Sequence, residues 1–125
     1  GYGLTYTAFD YSDIRLDTDI LHKGDTLCAS VHVANTGNRV GTETVQMYLH
    51  DMAASVTRPV RELKGFCKVT LEPGESREIT FPITEEMLRF YDINMNYVSE
   101  PGQFEVFIGS DSTTCNRAVF TLHVV

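Results

Sequence analysis

Residues 58–75 read RPVRELKGFCKVTLEPGE, and this stretch decides the fold. It has the form of a loop, a strand, a tight turn and the start of the next strand. Leu63, Phe66, Val69 and Leu71 supply apolar side chains, while Arg61, Glu62, Lys64 and Lys68 supply a solvated face. The apolar positions do not keep one parity: 63 is odd, 66 even, 69 and 71 odd again. Strand side chains alternate between faces with a period of two residues, so a change of parity needs a bulge or a twist. Gly65 stands at the break, where a missing side chain permits one. Glu72-Pro73-Gly74-Glu75 then has turn chemistry, with proline pre-setting one central residue and glycine accepting positive φ at the next. This is the chemistry of a sheet folding back on itself.

The same pattern extends in both directions. Upstream, residues 26–35 alternate, with Leu27, Ala29, Val31 and Val33 on one face. Asn35-Thr36-Gly37-Asn38 is a turn signal. In residues 42–50, Val45, Met47 and Leu49 face inward, and Gln46, Tyr48 and His50 outward. Residues 51–59 form a loop that is long for a hairpin. Residues 9–16 change parity between Phe9/Tyr11 and Ile14/Leu16, as expected of a first strand that shifts sheets partway; residues 22–25 read as a turn.

Downstream, residues 76–83 alternate through Ile79, Phe81 and Ile83. Thr84 has the character of an N-cap for one short helical turn, with Glu85 and Glu86 at its positive end. Phe90-Tyr91-Asp92 and Tyr97-Val98 flank a small hairpin. After the Pro101-Gly102 turn, Phe104, Val106 and Ile108 share one face. A polar loop, 110–116, precedes a closing strand with Ala118, Phe120, Leu122 and Val124. About seven strands with frequent turns and almost no helix predict an all-β, two-sheet antiparallel sandwich, the architecture of immunoglobulin-like domains.

Composition narrows the function classes. The 125 residues suffice for one domain with a buried core. A net charge of -7 argues against nucleic acid, which needs a basic surface. No run reaches the ~18 apolar residues of a membrane helix, so no membrane partner is expected. The chain begins GYGLTYT without an initiator Met, which suggests a processed protein or a piece of a longer one. The three cysteines, Cys28, Cys67 and Cys115, include no CxxC. They read as small hydrophobes or free thiols, with a single disulfide as the alternative.

Candidate chemistry is sparse. Glycoside hydrolysis needs two carboxylates facing one another across a sugar, and none of the acidic residues is singled out for it. Cys28 and His32 share a strand face but stand roughly 13 Å apart, too far for one metal. Asp92-Ile93-Asn94-Met95-Asn96 opens like a calcium loop, then lacks the following glycine and the closing glutamate, so a plain hairpin is expected. His22, His32, His50 and His123 are scattered, and His50-Asp51 lacks a nucleophile elbow. No catalytic residue, metal site or cofactor is expected. Exposed tyrosines could form a sugar platform, which leaves a stand-alone carbohydrate-binding or protein-interaction sandwich as the alternative function.

Taken in order, the motifs carry a resemblance. Arg58-Pro59-Val60, Leu63-Lys64-Gly65-Phe66, Val69, Leu71 and Pro73-Gly74-Glu75 resemble the C-terminal fibronectin type III-like domain of family-three glycoside hydrolases, the β-glucosidase and β-xylosidase group. So do residues 1–7, Val45-Gln46-Met47-Tyr48-Leu49, Phe90-Tyr91-Asp92, Glu100-Pro101-Gly102, and Phe104 with Val106 and Ile108-Gly109-Ser110. The cysteines depart from the family pattern. The resemblance implies a non-catalytic accessory domain, because the family's catalytic carboxylates belong to upstream domains and have no counterpart here. It implies a linker at residues 1–8 and the domain itself at 9–125, packed on catalytic domains of the same polypeptide. A second subunit is a further candidate partner, and a periplasmic or secreted parent fits the family. Tyr2, Tyr6, Asp51, Arg58 and Arg61 are the expected interdomain contacts, with loop 51–59 reaching toward an active-site rim or a dimer partner.

Overall fold

A computed structural model describes residues 5–52 and 61–124. Two sheets pack face to face. In the first, β4 (Thr26–Asn35) is central. It pairs on one side with β7 (Ser76–Thr84) and on the other with β1 (Phe9–Tyr11) and β2 (Arg15–Leu16). The second runs in the order β3-β11-β10-β5-β6. Its members are β3 (Ile20–His22), β5 (Gly41–Asp51), β6 (Glu62–Leu71), β10 (Gly102–Gly109) and β11 (Arg117–His123). A separate hairpin joins β8 (Phe90–Tyr91) to β9 (Tyr97–Val98). The all-β sandwich predicted from the alternation is therefore the observed fold, with six long strands and five short ones among the described residues instead of about seven.

The alternating residues fill the space between the sheets. Leu27, Ala29, Val31 and Val33 of β4, with Ile79, Phe81 and Ile83 of β7, oppose Val45, Met47, Leu49, Val106, Ile108, Phe120 and Leu122. The Phe104 and Phe120 rings stack at 5.6 Å. Burying each of the Val, Leu, Ile, Met and Phe side chains contributes about 1.5–3 kcal/mol before chain entropy is counted.

Residues 9–16 do not change sheets. Phe9 pairs with Asn35 and Arg15 with Ser30, so β1 and β2 both lie along β4. Between them the Ser12 amide donates to the His32 carbonyl, and the Ser12 hydroxyl accepts from the His32 amide. The parity break is local. The crossing to the second sheet comes later, at β3, which pairs in parallel with β11. Three residues are too few to show a period, so β3 was invisible in the sequence. Thr84 occupies the N-cap position of the 3-10 turn Glu85–Leu88, but its side chain makes no capping hydrogen bond.

β6 carries the expected bulge. Gly65 lies opposite Met47 and Leu63 opposite Tyr48, leaving Lys64 as the extra residue. Gly65 faces inward, and a Cβ there would stand 3.1 Å from Phe81 Cδ1. The faces differ from the expectation, however. Leu63 and Phe66 point out of the sandwich, 52% and 65% exposed. Glu62 and Lys64 turn toward the end of the core, beside Leu49, Leu88 and Phe104. Tyr48, expected to be solvated, is buried on the outer face and donates its hydroxyl to Gln46.

Asn35 closes one end of the sandwich. Its buried side chain donates to the Leu71 and Arg39 carbonyls and accepts from the Gly37 amide. Its backbone carbonyl accepts from Gly74, which sits at φ +82° in the 72–75 turn. One residue thus ties β4 to the turn between β6 and β7. Asn35→Ala removes the three side-chain bonds, keeps the backbone one, and leaves the buried Leu71 carbonyl without its amide donor. It should lower unfolding stability by about 2–3 kcal/mol in urea titration, and a loss under about 0.5 kcal/mol would contradict this role.

Candidate contact surface

The outer face of the second sheet carries a polar and aromatic layer. Phe107 pairs with Tyr48 on β5 and Arg117 on β11. The Arg61 guanidinium lies 3.6 Å above the centre of the Phe107 ring. Its Nη1 also donates to the carbonyls of Ser112 and Thr114, at 2.9 and 2.7 Å. Stacking and hydrogen bonding together use the planar fork of arginine, which lysine could not reproduce. Arg61 thereby fixes the end of the 51–61 segment to the 110–116 loop.

That loop is itself ordered by short-range bonds. Asp111 Oδ1 accepts from the Thr113 amide and hydroxyl, which hold its carboxyl below the ordinary value. Beside the loop, Glu105 accepts from His50 Nδ1 at 2.9 Å and from Arg117 Nε at 2.7 Å. The His50 bond, with Arg117 second among the favourable contacts, outweighs burial and lowers the Glu105 pKa. His50 is thus oriented by Glu105 across the sheet.

The expected contact residues among those described, Tyr6, Asp51 and Arg61, do not form one cluster. Asp51 ends β5 and lines the end of the core with Glu62, Lys64 and Arg89, on the opposite face of the sheet from Arg61. Tyr6 is exposed, and its amide donates to Asn38 Oδ1 near the start of β5. The eleven residues of β5 therefore separate Tyr6 from Asp51, roughly 33 Å along an extended strand. Tyr2, Arg58 and most of loop 51–59 lie outside the described residues.

A second polar centre lies at the base of the β8–β9 hairpin. Glu85 is buried and forms a bidentate pair with Arg89, both bonds 2.8 Å, while Ser99 donates its hydroxyl to the same carboxylate. The i,i+4 spacing of Glu85 and Arg89 was the signal available for it. At the hairpin tip, Asp92 Oδ1 accepts from the Asn94 and Asn96 amides. The Asp92 oxygen that would open a calcium loop serves a backbone turn. Tyr91 and Tyr97 meet at 43°, which is no flat sugar platform. Among the described residues, no group of three or more His, Cys, Asp or Glu side chains is arranged to hold a metal ion. Cys28, Cys67 and Cys115 are free thiols.

Residues 43–112 match the family of fibronectin type III-like domains. The chain belongs to that family. Its sequence is 48% identical, over 98% of its length, to a periplasmic β-glucosidase of Salmonella typhimurium. It is 40% identical over 99% of its length to a β-xylosidase of Formosa agariphila. Among solved structures, a β-glucosidase of Erythrobacter marinus superposes with a TM-score of 0.88 at 37% identity over 98% of the chain. The Listeria innocua β-glucosidase in complex with glucose gives 0.86 at 36% over 97%. The resemblance carried by the motifs is borne out. The chain spans only 16–17% of each of these relatives.

The fibronectin type III-like domain also makes a pH-dependent contact. The Arg89 bonds, helped by Ser99, outweigh burial and bring the Glu85 pKa from 4.5 to about 2. A depressed folded-state pKa stabilises the fold above the ordinary carboxylate range, and that stability is lost as pH falls through the folded value. Wild-type melting temperature should therefore fall between pH 4.5 and about 2 more steeply than that of Glu85→Gln. Parallel slopes in thermal melts would show that the pair does not stabilise the fold.

Proposed function

We propose that the chain is a non-catalytic accessory domain of a β-glycosidase of the β-glucosidase or β-xylosidase type. It packs on the catalytic domains of the same polypeptide and steadies them. Residues 1–8 are the tether and 9–125 the domain. The 51–59 loop, anchored at its far end by Arg61, extends toward the active-site rim or a second subunit. The periplasmic β-glucosidase among the relatives supports a periplasmic setting for the parent.

One observation carries this reading: nearly the whole chain aligns with glycosidases, yet accounts for about a sixth of their length. Local chemistry is consistent with it. The described carboxyls with displaced pKa values, Glu85, Glu105 and Asp111, are all displaced downward, whereas a general acid needs its pKa raised. Glu85 and Glu105 are each engaged by an arginine.

The test is turnover of nitrophenyl β-glucoside and β-xyloside by the 125-residue chain and by the parent polypeptide. The parent should hydrolyse at least one, and the chain neither. Hydrolysis by the chain alone would overturn the accessory role, and an inactive parent would overturn the assignment to a glycosidase.

A further inference from the structure

The outer face of β6 leaves two large apolar side chains exposed. Arg61 and Leu63 before the bulge, and Phe66 and Lys68 after it, lie on that face. The aromatic layer next to it is closed: Tyr48 and Phe107 are buried, and Arg61 covers Phe107. This cover stops short of β6. Leu63 and Phe66 are left exposed side by side on the edge strand of the sheet. Exposed apolar residues on a sheet edge invite association, and proteins normally blunt such edges. Here the bulge turns two large apolar side chains outward and two charged ones, Glu62 and Lys64, toward the core end.

We propose that this face, centred on Leu63 and Phe66 with Arg61 and Lys68 at its ends, is the surface that docks on the remainder of the same polypeptide. The complementary surface is an apolar patch rimmed by carboxylates. The proposal rests on the accessory-domain reading and adds the surface to it. Area favours an intramolecular partner. Leu63 and Phe66 offer roughly 200 Å² between them, against about 800 Å² per partner in a standard free-standing interface. A tether raises the effective concentration enough for a small patch to stay docked. Charge disfavours a second copy. A two-fold pairing of this face would set Arg61 and Lys68 against their own counterparts, in chains that each carry -7.

Hydroxyl-radical footprinting of the 125-residue chain and of the parent enzyme reads the surface directly. Modification of Leu63 and Phe66 should fall several-fold in the parent. If other residues of the chain become protected while these two stay reactive, the docking face lies elsewhere and the accessory reading survives. If no part of the chain is protected in the parent, both fail. Protection that rises with concentration in the isolated chain would make the occupant a second copy and overturn the proposal. A paired variant, Leu63→Asp with Phe66→Asp, separates docking from folding. It should leave the melting midpoint of the isolated chain unchanged while making the parent sensitive to proteolysis next to the domain. An equally resistant parent would count against the proposal, as would a variant chain that no longer folds.

Discussion

The extra residue in β6 is the constraint on which the rest depends. Side chains on a strand alternate strictly, so one inserted residue exchanges the two faces of everything beyond it. From Cys67 to Leu71, β6 keeps the odd positions on the core side, and Val69 and Leu71 are buried. The bulge at Lys64 sends Leu63 outward in spite of its odd number. Gly65 makes this compatible with the opposing sheet, because the Phe81 ring fills the space a side chain would take. The core of the sandwich and its outward apolar face are set by the same local irregularity.

Satisfied polar groups hold the two ends around that core. Asn35 at one end spends its amide on carbonyls that would otherwise be buried without partners. Glu85 at the other end is held by Arg89 and Ser99, beneath a hairpin whose turn Asp92 braces. Removing one partner from either centre leaves a buried group uncompensated, which costs more than the net worth of the bonds. The result is a rigid scaffold with loops fixed at defined points, the arrangement in which loops carry contacts. Arg61 is such a point, since its guanidinium ties its own strand to the 110–116 loop.

Much of this was legible in the sequence because it rests on local rules. The alternation in 26–35 and 76–83, the Pro-Gly turn at 73–74 and the hairpin at 90–98 all follow from strand period and turn chemistry. So does the need for a bulge near Gly65. What stayed hidden depends on partners distant in sequence. β3 is three residues long and exists through its parallel pairing with β11. Tyr48 is buried on the outer face beside Phe107, which Arg61 covers, and no alternation pattern records such a second layer. Leu63 and Phe66 look like core residues because apolar side chains usually are. On the proposed docking, these two serve a contact outside the domain. Of the expected contact residues, Arg61 proves tied into the sandwich itself, while Tyr6 and Asp51 stand at opposite ends of β5.

Calorimetry on the parent enzyme tests the central claim, that this domain is energetically joined to the rest of its polypeptide. If it is docked, its unfolding in the parent occurs at a higher temperature than in the isolated 125-residue chain, or merges with that of the catalytic portion. A separate transition at the temperature of the isolated chain would mean that the domain hangs free, and the account would be wrong.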